Sequence, residues 1–260
     1  MDEIIQIKNA SYDRYKDLIM RRDALKKEAF QYEREYVRVF GELILAVFEL
    51  KVACIRKKKT VAYYQTAANH GRAVDADELA AYLEREMAAL NRQLDDMIAD
   101  TENAKKAETI TQADLLKIKR IYHKLVKRIH PDINPLMAQS EELQDLWQRV
   151  VTAYNCNDLK LMEESEILIM KLLGDEEGNA PMPDIPDIEE KIQEVEKSIS
   201  IILDTDPYQY KYLLEDPSAV EEKTEDLENE KRAFEDYSGQ LDDMLVAIME
   251  NGVGMIWHMN

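Results

Sequence analysis

Apolar residues recur at helical spacing along the first seventy positions. Tyr32, Tyr36, Val39, Leu43, Ala46, Leu50 and Ala53 step by fours and threes, the period of a coiled-coil seam. A second stripe, Phe30, Val37, Phe40, Ile44, Val47 and Ile55, flanks the first, so this helix is expected to meet more than one neighbour. Residues 11–69 contain no proline and a single glycine, Gly41. That predicts one helix of roughly 90 Å at about 1.5 Å per residue. Asn69-His70-Gly71-Arg72 ends it, because Asn and Gly tolerate the left-handed conformation at a helix terminus. Asp75, with Glu78 three residues on, then caps a second helix. Leu83, Met87, Leu90, Leu94 and Met97 form its seam as far as about Asn103. So short a connection makes the two helices antiparallel. The second is about half as long as the first, which leaves the N-terminal half of the first to be covered by something else.

The C-terminal third offers that cover. Ile188, Ile192, Val195, Ile199 and Ile202 define one helix, and Val220, Leu227, Phe234, Leu241 and Ile248 repeat every seven residues in another. An irregular link over 204–217 joins them. Residues 174–186, with three prolines and two glycines, read as a linker. The division expected is an antiparallel hairpin over 1–104, a separate region over 105–173, the linker, and acidic helices over 187–260 packing on the N-terminal half of the first helix. The fold class expected is all-α: the 7 glycines and 7 prolines in 260 residues fall well below average usage.

Charge adds a constraint. The net charge is −19, and a surface that acidic repels phosphate backbones, so nucleic acid is not an expected partner. Residues 36–55 are apolar enough to raise a membrane span. However, Glu35, Glu42, Glu49 and Arg56 recur every seven residues on one stripe, which fits a helix with one wet face. The chain opens Met1-Asp2-Glu3 without a basic start and apolar core. Cys54 and Cys156 provide neither a disulfide framework nor a metal site. A reducing cytoplasm is therefore the expected location. Self-association through the seams is permitted, since they would serve equally within one chain or between copies.

Against that acidic background, residues 115–130 carry six Lys and Arg and no Asp or Glu. The helix predicted there, capped by Thr111 or Asp114, has an apolar face of Ile118, Ile121, Tyr122, Leu125, Val126 and Ile129. Its other face holds Lys117, Lys119, Arg120, Lys124, Lys127 and Arg128. A charge run is ordinarily a solvated face; the contrast with the remainder of the chain marks this one as a surface for an acidic partner. The helix must turn at His130, because Pro131 disfavours the helical conformation in the residue before it. A further helix, capped by Ser140, carries Leu143, Leu146, Trp147, Val150, Val151 and Tyr154, with Trp147 and Tyr154 as core residues. Two such helices joined by about ten residues form an antiparallel hairpin with His130-Pro131-Asp132 at its tip.

Residues 118–132, Ile-Lys-Arg-Ile-Tyr-His-Lys-Leu-Val-Lys-Arg-Ile-His-Pro-Asp, resemble helix II and the HPD loop of a J-domain (DnaJ-like) co-chaperone. Asn134-Pro135 continues the loop as that family often does, and Trp147 and Ala153-Tyr154 fall where its helix III places a core aromatic and an Ala-Tyr pair. The likeness spans about residues 111–164. It implies docking on the nucleotide-binding domain of a DnaK-type chaperone and acceleration of that partner's ATP hydrolysis. By position, His130, Pro131 and Asp132 would signal, and Tyr122, Lys119, Arg120, Lys124, Lys127 and Arg128 would form the docking face. Asp132 can pair with a cationic side chain, and the lysines and arginines can steer toward an acidic surface. The protein itself would be no enzyme, and it would need no cofactor or metal.

The chain also departs from the family. The usual first helix, with its Tyr and Leu-Gly turn, is missing before residue 111; the region from Leu94 to Ile98 is expected to replace it against Tyr122 and Leu125. Residues 158–173 take the place of the basic fourth helix, and a Gly/Phe-rich linker and Cys-rich zinc module are absent. The client is not specified by these residues. The alternative reading is a coiled-coil scaffold whose J-like hairpin does not signal. Other candidates are weaker. His130 beside Asp132 lacks a nucleophile for acid–base work. His70, His123 and His258 lack metal-ligand spacing. Asp204-Thr205-Asp206 fails as a calcium loop because of Pro207 and a missing glycine. Arg56-Lys57-Lys58-Lys59 reads as a solvated helix end, and residues 255–258 as an apolar tail that packs or binds a partner.

Overall fold

Helix α1, Asp2–Asn69, begins the chain in a computed structural model that describes residues 2–105, 110–134, 140–173, 185–250 and 255–256. The fold is all-α, with the short bridging strands β1 (Val74–Asp75) and β2 (Met255–Ile256) paired in parallel. The remaining helices are α2 (Ala76–Lys105), α3 (Gln112–Ile129), α4 (Glu141–Cys156), α5 (Leu159–Leu173), α6 (Ile188–Asp204), α7 (Tyr210–Glu215) and α8 (Pro217–Glu250). Most of the proline linker (174–184), Pro135, and 257–258 of the apolar tail lie outside the described residues.

The termini follow from local chemistry. Gly71, with φ +62°, supplies the left-handed residue just past the end of α1. Asp75 caps α2 as expected: its Oδ1 accepts from the backbone N–H of Asp77 (2.9 Å) and Glu78 (3.0 Å). Thr111 caps α3 and Ser140 caps α4, each through its side-chain oxygen. Between α4 and α5 the turn takes two residues. Asn157 adopts the left-handed conformation, and Asp158 Oδ1 accepts from Leu161 N at 2.9 Å.

The chain divides into two compact units, residues 1–33 with 108–211, and residues 34–107 with 212–260. The boundary therefore falls inside α1 rather than near residue 104. In the second unit, α1 and α2 run antiparallel, as the pairs Lys59–Glu86 (2.9 Å) and Tyr63–Tyr82 (5.4 Å between ring centroids) establish. Gly41 admits the close approach of α2: a Cβ there would stand 3.3 Å from Thr101 Oγ1. The buried line of α1 is Phe40, Val47, Cys54 and Val61. Phe40 and Val47 come from the second stripe, and Cys54 and Val61, which neither stripe contained, continue the line at seven-residue spacing, whereas Val39 of the first stripe is 44% exposed. Glu42, Glu49 and Arg56 lie on the wet face, and no helix among the described residues is long and apolar enough to cross a membrane.

Helix α8 completes this unit, and it corrects the expected packing of the acidic helices. Leu241 is buried against Cys54 and Val61, with Phe234, Leu245 and Ile248 around it. Lys57 Nζ reaches Asp242 Oδ2 at 2.5 Å and Ser238 Oγ at 2.8 Å. So α8 lies on the later part of α1, and two lysines of the supposedly solvated 56–59 cluster are paired with α2 and α8. Only α6 takes the expected place. Ser11 Oγ donates to Glu189 Oε1 (2.7 Å), Arg14 pairs with Glu196 (2.7 Å), and Ile192, Val195 and Ile199 join the core that holds Tyr15 and Ile19.

That core, in the first unit, is built from α1, α3, α4, α5 and α6. All six apolar residues read from the sequence of α3 are buried, as are Trp147, Ala153 and Tyr154 of α4. Full burial of Tyr15 and Ile19 contributes about 1.5–3 kcal/mol each.

Candidate functional site: the His-Pro-Asp loop and the face of α3

Helices α3 and α4 form the antiparallel hairpin expected. Tyr122 stacks on Tyr154 with ring centroids 3.8 Å apart, and eight residues later His130 meets Trp147 edge-on at 4.7 Å. The chain leaves α3 at His130 in an extended conformation, φ −63° and ψ 123°, as the following proline requires. A turn closes behind it: the N–H groups of Ile133 and Asn134 both donate to His130 O, at 3.0 and 2.8 Å. Ile133 is fully buried and pins the loop to the core.

The packing partner of the hairpin is not the segment from Leu94 to Ile98, which belongs to the other compact unit. It is the start of α1. Tyr15, Ile19, Asp23 and Lys27, spaced by four, form one buried row. The first two supply apolar surface to α3, α4 and α6, and the next two bring charge. Asp23 Oδ2 accepts from the Tyr122 hydroxyl at 2.8 Å and from His130 Nε2 at 3.2 Å. Asp23 Oδ1 accepts from Arg22 Nε (3.2 Å) and Nη2 (3.0 Å). Lys27 Nζ sits 4.0 Å over the centre of the Tyr154 ring.

These contacts set the electrostatics. Burial opposes the Asp23 charge, but hydrogen bonding and charge from His130, with Arg22 and Tyr122 adding to them, outweigh it and hold its pKa below the usual carboxylate value. Burial, then the nearby Asp23 carboxylate, push the Tyr122 hydroxyl up, so it stays protonated and donates. Lys27 is lowered to about 8 by burial, with a further push from Lys119. His130 Nδ1 accepts from the backbone N–H of Asp132 at 3.1 Å, so the proton offered to Asp23 is the one on Nε2.

The loop thus presents its residues unequally. His130 is 3% exposed and faces inward. Pro131 is half-buried. The Asp132 side chain is 40% exposed, and its Oδ2 accepts from Arg22 Nη1 at 2.9 Å. Beside it opens a cleft of about 400 Å³ lined by Tyr15, Arg22, Pro131, Asp132, Lys191, Glu194, Val195 and Ser198. Sequence reasoning missed Arg22, Asp23 and Lys27. The available signal was a charged pair, Asp23 and Lys27, continuing at i+4 spacing a row begun by Tyr15 and Ile19.

On α3 the expected surface divides. Tyr122 is not part of it: the ring is 2% exposed and buried in the aromatic cluster. Lys119, Arg120, Lys124 and Lys127 are exposed. Helix α5 lies alongside and neutralises one edge, where Lys117 pairs with Glu163, and Lys124 with Glu166 at 3.1 Å. Arg128 is half-buried, with Nη1 2.7 Å from Met170 Sδ. Lys119, Arg120 and Lys127 have no anionic partner among the described residues. Burial, then Lys119 and Lys127, push the pKa of His123 between them down. Among the described residues no group of three or more His, Cys, Asp or Glu is placed to hold a metal ion. No family model, no curated protein and no solved structure matches this chain.

Proposed function

We propose that this protein is a J-domain co-chaperone, which docks on a DnaK-type chaperone through α3 and the His-Pro-Asp loop and stimulates that partner's ATPase. The observation that carries the reading is the Asp132 carboxylate, 40% exposed at the tip of the α3–α4 hairpin. It stands on the same hairpin as the exposed cations Lys119, Arg120 and Lys127. A carboxylate offered by a fixed turn selects a guanidinium or ammonium, and a cationic helix face steers toward an acidic surface. Hydrolysis would belong to the partner, in the cytoplasm, and the helices outside the hairpin would meet a client or assembly.

A second reading, a scaffold whose hairpin does not signal, is favoured by the inward-facing His130 and by the Arg22–Asp132 pair. Single-turnover ATP hydrolysis by a DnaK-type chaperone separates the two. Stimulation by the wild type that disappears in His130→Gln and in Asp132→Asn supports the co-chaperone. The Asp132 variant alters a half-exposed side chain and keeps the core intact. An unstimulated partner favours the scaffold.

A further inference from the structure

Arg22 divides its guanidinium between two carboxylates. Nε and Nη2 are spent on Asp23, its neighbour in sequence, while Nη1 extends to Asp132 Oδ2 across 110 positions of chain. The Arg22 side chain is 14% exposed, so water screens this contact less than it would an ion pair on the surface. Burial weakens the Arg22 charge, and Asp23 and Asp132 together more than restore it. The Asp132 backbone is fixed as well, because its N–H donates to His130 Nδ1, and His130 is held by Asp23. Asp132 therefore meets any incoming partner with one oxygen already bonded to a cation of its own chain.

We infer that Arg22 is a built-in competitor for the partner's cation, an autoinhibitory contact that sets how readily the His-Pro-Asp loop engages. This rests on the co-chaperone reading of the loop. A partner guanidinium reaching Asp132 enters the cleft between α1 and α6, where Arg22 and Lys191 stand beside Asp132 and Glu194. It must displace Arg22 or share the carboxylate with it, against the repulsion of both resident cations. Arg22 retains Asp23 when it lets go, so release leaves no buried charge unpaired. That makes the contact reversible, as a threshold must be.

The test is the concentration of this protein that gives half-maximal stimulation of single-turnover ATP hydrolysis by a DnaK-type chaperone. Wild type is compared with Arg22→Met, which keeps the length of the stem and removes the charge. Half-saturation is expected to fall about three- to tenfold, the range of one partly screened ion pair. Because Asp132→Asn alone is expected to lose stimulation, the tie to that carboxylate is read in partner binding, where Arg22→Met should tighten the complex of the wild type and leave that of Asp132→Asn unchanged. Arg22→Lys, whose single ammonium cannot span both carboxylates, should shift the value in the same direction and serves if circular dichroism finds the methionine variant unfolded. Stimulation by the variant alone, with none from the wild type, also supports the inference. A folded variant that works at the same or higher concentration than a stimulating wild type overturns it and leaves the co-chaperone reading intact. No stimulation from any form overturns both.

Discussion

Asp23, on the first helix, accepts a 2.8 Å hydrogen bond from the hydroxyl of Tyr122, ninety-nine positions later. The same oxygen takes the imidazole of His130, so one carboxylate ties the middle of α3 and the turn that ends it to α1. The hairpin that carries the loop therefore leans on the start of α1, with the rest of that helix and all of α2 intervening in the chain.

Removing that carboxylate should be costly. Asp23→Ala leaves the Tyr122 hydroxyl and His130 Nε2 buried without a partner and frees Arg22 from one of its two anions. The expected loss is about 3–5 kcal/mol, the cost of breaking a buried charged group. Tyr122→Phe removes a single donor to a charged acceptor and should cost about 1.5–3 kcal/mol. Urea titrations of the two variants check the order. A Tyr122→Phe loss as large as that of Asp23→Ala would mean that Asp23 acts through Tyr122 alone.

Acid should loosen the same site. The Asp23 pKa is lower in the folded chain than in the unfolded one. A depressed carboxylate contributes stability that is complete above its unfolded value, about 4. That contribution is lost as pH falls through the lower folded value. The urea midpoint should therefore gain nothing from this group between pH 5 and 7 and decline below about 4. In Asp23→Asn, with no charge to titrate, the decline should be shallower; an unchanged acid limb would place its origin elsewhere.

Lys27 gives a slope of the same sign in a basic window, but there the shift penalises the charged form. Its amine is lowered to about 8 in the folded chain, chiefly by burial, while the unfolded group titrates near about 10.4. Between those values the unfolded chain binds more protons, so stability should rise as pH increases through that window. The ring of Tyr154 beneath it offsets part of the cost of the charge. Lys27→Met should stabilise the protein by about 1 kcal/mol at pH 7, since an apolar side chain replaces a buried charge, and should remove that rise. Thermal melts at pH 7.5 and 9.5 would reveal either result.

Much of the fold was legible because local chemistry decides it. Thr111, Ser140 and Asp75 cap the helices expected of them, Gly71 ends α1, and the six apolar residues of α3 and the aromatics of α4 are where a 3.6-residue period puts them. The choice of partners was not legible. Periodicity says that a face is buried, not against what, so α1 was open to cover by either acidic helix, and α6 and α8 divide it. The same gap hid the neighbour of Tyr122. Leu94 and Ile98 are apolar and near in sequence, whereas the actual partner is a carboxylate, a residue type that apolar patterning passes over. Basic residues were visible on α3, but not that Glu163 and Glu166 of α5 would neutralise part of that face.

That partial neutralisation makes a prediction about the cations left over. Lys117 and Lys124 already face glutamates of α5, so an acidic partner gains little net attraction from them. Lys119, Arg120 and Lys127 project a field that no described anion cancels. Charge reversal at Lys119 and Lys127 together should slow association with a DnaK-type partner by about tenfold or more at low salt, and the deficit should shrink as salt rises. Lys124→Ala should slow it less, because it changes the charge of this face by one rather than by four. All three substitutions lie on the surface and, through lost contacts alone, should alter stability by no more than about 0.5 kcal/mol, so the effect can be read in a rate. Stopped-flow association at two ionic strengths makes the measurement. Equal slowing from Lys124→Ala and from the double reversal would mean that the slowing does not follow charge, and that Lys119 and Lys127 do not steer the partner.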